Sequence, residues 1–135
     1  MTAAAAWVAI STDAAARPPL GWLSIVGVVV WALGMVVEIV ADAQKSAFRK
    51  DPSNRDEFIR TGLGCRSRHP NYFGDSSVWW GIWLIAASAW PGVLTVLSPV
   101  AMTYFLVFAT GARLLERHMA QRPGYTAYQE RTSYF

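Results

Sequence analysis

The sequence predicts an all-α integral membrane helical bundle with about three transmembrane helices and a partly helical cytoplasmic connection. Three observations lead to this fold class. More than half of the 135 residues are apolar (53%), no charged residue lies in 18–37 or in 76–112, and the basic residues are concentrated in two polar segments. A helix needs about 20 apolar residues to cross the hydrocarbon core, so the first uncharged stretch suffices for one crossing and the second for two. A buried helix of a soluble protein is the less favoured alternative for either stretch.

Residues 1–19 are predicted to form an N-terminal tail ahead of a transmembrane domain over residues 20–135. The tail is rich in alanine, and its first basic residue is Arg17. A secretory signal peptide begins with positive charge ahead of its apolar core, so we interpret this segment as a tail and not as a cleaved leader.

The first transmembrane helix is predicted over about residues 20–40. Gly21, Gly27 and Gly34 recur in it every six or seven residues, which places small residues roughly along one side of the helix. Small residues let two helices approach closely in a membrane. This side is therefore a candidate contact between helices.

Residues 41–75 form a polar connection. Asp51-Pro52-Ser53-Asn54 is a turn signal that separates a short helical run from the remainder. About 35 residues is long for a loop without structure, so the connection is expected to be partly folded and to have a function.

The second and third spans are predicted over about residues 76–89 and 93–111. Trp90-Pro91-Gly92 lies between them and is a turn-forming sequence that suits a tight hairpin. Pro99 is expected to kink the third span or to mark a late start of its helix.

Three spans would place residues 41–75 and 112–135 on the same side of the membrane. These two segments contain eleven of the twelve Lys and Arg residues. The positive-inside rule makes that side cytoplasmic. The lipid bilayer is the predicted partner, and no nucleic-acid partner is expected.

The densest cluster of polar side chains lies in residues 61–75. Arg66 and Arg68 can pair with phosphate oxygens in fork geometry, and Asn71 offers the donor and the acceptor that a carboxamide needs. Asp75 falls near the start of a helix, where the helix dipole favours a carboxylate. The cluster predicts either an anion site or a basic collar followed by a helix cap, and the residues alone leave both open.

His69 lies in the same cluster and has two interpretations. Its side chain could act as a general acid or base, because an imidazole titrates near neutral pH, or it could be a hydrogen-bonded loop histidine. Together with Cys65 it provides too few ligands for a zinc site. No metal is therefore predicted.

A second polar cluster follows the last apolar stretch. Arg113, Glu116 and Arg117 fall at helical spacings of three and four, so their side chains can face the same way. They predict either a second wall of a pocket for an anionic ligand or an amphipathic juxtamembrane helix that binds lipid headgroups.

Several motifs together are specific for one family. They are Ala41-Asp42-x-Gln44-Lys45-x-x-Phe48-Arg49, Gly62-Leu63, Ser67-Arg68-His69-Pro70-Asn71-Tyr72-Phe73-Gly74, Trp79-Trp80-Gly81, and Leu115-Glu116 to Arg122-Pro123-Gly124-Tyr125-x-x-Tyr128. Over about residues 34–135 the chain resembles the steroid 5-alpha-reductase C-terminal family, and more narrowly its bacterial branch of multi-pass membrane proteins. The resemblance implies a location in the bacterial inner membrane, with the connection and the C-terminus in the cytoplasm.

The resemblance also implies an NADPH-dependent reductase that saturates a carbon–carbon double bond conjugated to a ketone in a lipid-like or steroid-like substrate. It implies no particular catalytic residue in this chain. The residues that it assigns to the cofactor are Asn71, Gly74 and Asp75 at the nicotinamide, Asp42 and Arg49 elsewhere on the cofactor, and Arg113 at its phosphates. Arg66 and Arg68 join this set as phosphate partners because of their charge.

The chain departs from the family pattern in three respects. Gly64 and Arg66 occupy positions where the bacterial branch usually has aromatic residues. Asp75 stands where the family has glutamate, which is one methylene longer. The family has about seven spans, and the matched motifs belong to its C-terminal half. Three interpretations stay open: a truncated product that is inactive alone, a fragment that assembles with a second chain supplying the N-terminal spans, or a relative without activity.

Two other functions stay open. Isoprenylcysteine carboxyl methyltransferases, which use S-adenosylmethionine, share the Arg-His-Pro-x-Tyr run, although Glu116 is followed here by Arg117 where those enzymes have paired glutamates. A non-enzymatic membrane module that binds anionic lipid or a partner protein is the other alternative.

Overall fold

The structure, a computed structural model, describes residues 21–109 and 111–135 and is all-helical there, with no β-strand in either range. The tail predicted over residues 1–19 lies outside the described residues. The α-helices in the described ranges are α1 (Trp22–Lys50), α2 (Pro70–Ala87), α3 (Leu97–Tyr104), α4 (Ala112–Met119) and α5 (Tyr125–Arg131). Short 3-10 stretches lie at Pro52–Asn54, Gly62–Cys65 and Gly92–Val96, and a π-helical turn lies at Phe105–Ala109.

α1 continues well past residue 40, where the first span was predicted to end. Residues 41–50 contain neither glycine nor proline and are mostly good helix formers, so nothing in them stops the helix. The helix ends at Lys50 because Pro52 disfavours helical geometry in the residue before it, and Asp51 is extended with φ −84° and ψ 117°. The Asp51 carboxylate accepts a hydrogen bond from the backbone N–H of Ser53 at 2.9 Å, which forms the predicted turn.

α1 and α2 pack antiparallel through glycines that face each other. A Cβ atom on Gly34 of α1 would lie 2.8 Å from the carbonyl oxygen of Gly74 in α2, and one on Gly27 would lie 2.9 Å from the carbonyl oxygen of Gly81. Both distances are shorter than real Cβ contacts, so the two backbones touch directly. The predicted contact side of the first helix is confirmed for Gly27 and Gly34, whereas Gly21 precedes α1 and is exposed.

Two helical stretches among the described residues, Trp22–Lys50 and Gly92–Met119, are long and apolar enough to cross a membrane. Only 17% of the apolar window of each is buried, whereas the core helix of a soluble protein is mostly buried. Large apolar side chains of α1 such as Ile25, Leu33 and Val36 are 59, 61 and 57% exposed. Apolar surface of this extent indicates contact with lipid or with another protein.

α2, which overlaps the second predicted span over residues 76–87, is not one of these two stretches. It is 18 residues long, about 27 Å at 1.5 Å per residue. Its first turns carry Asn71, Asp75, Ser76 and Ser77, and its apolar residues are concentrated toward the C-terminal end. Length and apolarity therefore support the first and third predicted spans more strongly than the second.

The turn predicted at Trp90-Pro91-Gly92 separates α2 from the third apolar stretch. That stretch begins as the 3-10 segment Gly92–Val96, and α3 starts only at Leu97. Pro99 thus falls in the first turn of α3, where a missing N–H removes no intrahelical hydrogen bond. Of the two expectations for Pro99, the late start is the one observed.

Replacing Gly34 by leucine is expected to lower the free energy of unfolding by about 1–3 kcal/mol, because the new side chain would overlap the backbone of α2. Val36→Leu enlarges an exposed position on the same helix and is expected to change stability by less than about 0.5 kcal/mol. Titration with sodium dodecyl sulfate, followed by tryptophan fluorescence in detergent, measures both values. Equal stability of the two variants would contradict the direct backbone contact.

Candidate functional site

A cavity of about 670 Å³ lies at the polar end of the α1–α2 pair. Its walls come from the last turns of α1, the connection between α1 and α2, the first residues of α2, and the C-terminal segment that contains α4 and α5. Sites for small molecules and cofactors occupy about 300–1,000 Å³. The cavity is therefore large enough for a ligand of cofactor size.

One wall of the cavity is aromatic. Phe58 of the connection is 6% exposed and packs edge-on against Tyr125, with the ring centroids 5.0 Å apart. Its ring centroid also lies 5.0 Å from that of Tyr128, whose hydroxyl donates a hydrogen bond to the carbonyl of Gly64. Burial raises the pKa of Tyr125 to about 12, so this phenol is neutral at physiological pH. The wall is thus a set of uncharged rings that joins α5 to the connection.

The carboxylate of Glu116 in α4 links the C-terminal segment to the residues that precede α2. Its Oε1 lies 2.5 Å from Nη1 of Arg68 and 3.1 Å from Nε2 of His69. Its Oε2 accepts a hydrogen bond from Nε2 of Gln129 at 3.3 Å. The side chains of Arg68, His69 and Glu116 are only 13, 2 and 16% exposed, so these contacts are largely shielded from water.

His69 is enclosed by aromatic rings as well as by the Glu116 carboxylate. The ring of Tyr72 stacks on it at 5.6 Å, and the ring of Tyr134 meets it at 5.0 Å. Burial lowers the pKa of His69 below its ordinary value of 6.5, because the loss of water around the imidazolium outweighs the attraction of Glu116. Arg68 pairs with the same carboxylate oxygen and weakens that attraction. His69 is a buried, hydrogen-bonded histidine, as the second of its two interpretations predicts.

Two further contacts hold the connection in place over the cavity. The side-chain oxygen of Gln44 in α1 accepts a hydrogen bond from the backbone N–H of Leu63 at 3.0 Å. Gly62 makes this approach possible, because its φ of +60° suits glycine and a Cβ there would collide with the Gln44 amide. Nη1 of Arg122 donates to the carbonyl oxygen of Glu57 from the opposite side.

The cavity has an excess of positive charge. Its charged lining residues, apart from the neutral His69, are the basic Lys45, Arg49, Arg55, Arg68 and Arg122 and the acidic Glu57. Glu57 pairs with Arg60 at 3.2 Å, and Arg68 pairs with Glu116. Within the described ranges, the other four basic lining residues make no ion pair. A concave site with uncompensated positive charge favours an anionic ligand.

Three of the eight residues expected to bind a cofactor line the cavity: Arg49, Arg68 and Asn71. The structure thus brings the end of α1, the loop before α2 and the first turn of α2 together around the cavity; their binding of a cofactor stays a prediction. The remaining five do not line the cavity: Asp42, Arg66, Gly74, Asp75 and Arg113.

Each of those five residues has other surroundings. Gly74 is buried against the backbone of α1, where it allows the two helices to touch. The guanidinium of Arg113 lies over the ring of Phe108, 5.3 Å from its centroid. Asp42 and Arg66 are exposed, and Asp75 is half-buried within α2.

Some lining residues and contacts have no signal in the sequence. Arg55 and Phe58 lie in a polar segment without periodicity, so no pattern assigns them to a site. The spacing of Tyr125 and Tyr128 is a usable signal, since residues three apart on a helix share a face. Glu116 was expected to share a pocket wall with neighbouring arginines, but its carboxylate pairs with residues at least 47 positions away in the chain.

One protein-family model matches a part of the chain that includes the whole site. The family model described as "Protein of unknown function (DUF1295)" matches residues 2–132. That range includes all the helices and every residue that lines the cavity. A search of curated proteins and a search of solved structures each found no match.

The stability of the chain in neutral detergent is expected to fall as the pH is lowered from about 7 to 5. The pKa of His69 is lower in the folded state than in the unfolded state, so protonation in this range favours the unfolded chain. One such group contributes at most about 1.4 kcal/mol per pH unit. His69→Gln keeps a hydrogen-bond donor for Glu116 but does not titrate. It should therefore reduce the dependence of stability on pH. Equal dependence of stability on pH in wild type and His69→Gln would refute the assignment.

Proposed function

Because the chain belongs to the DUF1295 family, which is related to steroid 5-alpha-reductase-like proteins, we propose that it is a membrane-bound reductase-type domain that binds NADPH in the cavity. The proposed reaction saturates a double bond conjugated to a ketone in a lipid-like or steroid-like substrate. The observation that carries the proposal is the uncompensated positive charge of a cavity that also offers amide and aromatic side chains.

The lining residues fit the chemical parts of NADPH. Its phosphates would be bound by Lys45, Arg49 and Arg122, which line the cavity without an ion pair in the described ranges. Asn71 offers the donor and the acceptor that match a carboxamide, and the wall around Phe58 offers aromatic surface to a base. The cofactor supplies the hydride, while the protein binds and orients it.

The two alternative functions explain fewer of the side chains that line the cavity. S-adenosylmethionine carries a sulfonium cation and no phosphate, so it would have to bind beside four uncompensated basic side chains. A module for anionic lipid would use that positive charge, but it leaves Asn71 and the aromatic wall inside the cavity without a role. NADPH is the one of the three ligands that uses all these groups.

The proposed substrate reaches the site from the membrane, and a second chain is proposed to supply the spans on the substrate side. The exposed apolar side chains of α1 support this arrangement, because they offer a surface on which further transmembrane helices can pack.

We also propose that α1, α2 and the stretch Gly92–Met119 all cross the membrane, with the connection and the C-terminal segment in the cytoplasm. These two segments meet in the structure: the backbone N–H of Arg68 donates to the carbonyl of Ser133 at 2.9 Å, and Glu116 contacts His69. Their contact supports a location on one side, and their basic residues favour the cytoplasmic side.

Cys65 provides a direct test of this topology, because it is exposed, lies in the connection and is the only cysteine of the chain. In bacterial spheroplasts, a membrane-impermeant maleimide should label Cys65 only after the membrane is permeabilised. The double variant Cys65→Ala, Trp90→Cys moves the thiol to the turn between the second and third spans, where Trp90 is 73% exposed. It should be labelled in intact spheroplasts, and the reverse pattern would invert the proposed orientation.

Purified chain in detergent is expected to bind NADPH saturably, and Arg49→Ala should weaken binding about tenfold, the effect of losing one charge-assisted hydrogen bond. Lys50→Ala is the matched control, because Lys50 is also an exposed basic residue in the last turn of α1 but does not line the cavity. Asn71→Ala should also weaken binding. Isothermal titration calorimetry measures the affinities.

S-adenosylmethionine serves as a competitor in the same titration. Its failure to displace NADPH would agree with the reductase proposal, whereas its displacement of NADPH would favour a methyltransferase. Equal weakening by Arg49→Ala and Lys50→Ala would show that NADPH binds to surface charge and not in the cavity. A well-folded chain that binds no NADPH would refute the proposed cofactor site.

A further inference from the structure

A second pocket, called the α2–α4 groove below, lies beside the cavity and is more open than the cavity. Its volume is about 580 Å³. It runs between the first turn of α2 and α4, and its main lining residues are Tyr72, Leu114, Leu115, Arg117, His118 and Gln121.

The groove has an apolar floor and a polar rim. Leu114 and Leu115 supply apolar surface, and Leu114 is 65% exposed although it is a large apolar residue. Arg117, His118 and Gln121 supply polar and basic groups from the end of α4 and the residues after it. Among the residues that the structure describes, no aspartate or glutamate lines the groove. This combination suits a ligand with an apolar body and a negatively charged head.

The positive charge of the rim is not neutralised by its neighbours. Glu116, the acidic residue next to Arg117, directs its carboxylate to Arg68 and His69. In the part of the chain that the structure describes, Arg117 makes no ion pair. The C-terminal end of a helix favours basic residues, but that effect does not explain why the basic side chains border an apolar groove.

The position of the groove matches the boundary of a membrane. α4 forms the end of the apolar stretch Gly92–Met119, and the groove opens along its final turns. In the proposed topology these turns lie at the cytoplasmic surface, where the phosphates of lipid headgroups are found. Basic side chains at this depth attract anionic lipids.

We propose that the α2–α4 groove binds an anionic phospholipid of the surrounding bilayer, with its phosphate at Arg117 and His118 and an acyl chain along Leu114. This proposal depends on the membrane placement proposed above and not on NADPH binding. Tyr72 and Leu115 line both the groove and the cavity, so the bound lipid packs against the outer side of a wall that the cofactor would touch from within.

Lipid titration of the full chain in neutral detergent, without NADPH, tests the proposal. Native mass spectrometry measures the affinity for phosphatidylglycerol and for phosphatidylcholine with the same acyl chains, and inorganic phosphate is added as a competitor. Phosphatidylglycerol is expected to bind more tightly than phosphatidylcholine, and free phosphate at equal concentration is expected not to displace it.

Two substitutions in the groove and one control outside it, all at exposed positions, locate the site without disturbing the fold. Arg117→Gln should weaken phosphatidylglycerol binding about fivefold, the contribution of one basic side chain near an anionic surface. Arg131→Gln is the matched control, because Arg131 is an exposed basic residue in the last turn of α5 and lies outside the groove. Leu114→Asn leaves the charge unchanged and should weaken both lipids.

Equal affinity for the two lipids would overturn the proposal, and so would equal losses in Arg117→Gln and Arg131→Gln. Displacement by free phosphate at equal concentration would also overturn it, since the ligand would then be a phosphate and not a lipid. NADPH titration of the same variants is a separate measurement, so failure of the lipid site and failure of the cofactor site can be distinguished.

Discussion

The cavity depends on one carboxylate, that of Glu116. This group holds Arg68 and His69, which immediately precede α2, against α4 and receives a third contact from Gln129 in α5. A buried ion pair repays its loss of hydration only when further hydrogen bonds satisfy the carboxylate, and here His69 and Gln129 supply two beyond the pairing with Arg68. α4 and α5 supply one side of the cavity, and this carboxylate joins that side to the rest of the chain together with the aromatic wall and the Arg122–Glu57 contact.

The apolar half of the molecule is organised by a different kind of contact. α1 and α2 meet at glycines, where the backbones and the side chains of Ile85 and Ser77 approach closely, and leave large apolar groups facing outward. α1 then continues without interruption into the polar half, where Gln44, Lys45 and Arg49 reach the connection and the cavity. One continuous helix thus carries both the apolar packing surface and part of the polar site. A shift of this helix would therefore move both.

Local features of the sequence predict much of the fold and little of the site. Pro52 ends α1, the turn around Pro91 separates α2 from the third stretch, and the glycines mark the contact side; each effect acts within a few residues. The length of α1 was underestimated because hydropathy falls at residue 41 while helix propensity does not. The partners of Glu116 and the aromatic wall require residues far apart in sequence to meet, which only tertiary packing determines. The motifs grouped Arg49, Arg68 and Asn71, which line the cavity, with Gly74, whose surroundings are helix packing; the role of these residues at a cofactor stays a prediction.

The glycines at the α1–α2 contact have the same spacing on both helices, seven residues. If α2 slid along α1 by seven residues, about 10 Å, Gly34 would face Gly81 and the small, buried Ala41 would face Gly74. Close contact would therefore be possible in two axial registers, and the glycines determine how near the helices lie but not which register they adopt. That choice rests with the polar end, where the hydrogen bond between Gln44 of α1 and Leu63 ties α1 to the segment before α2.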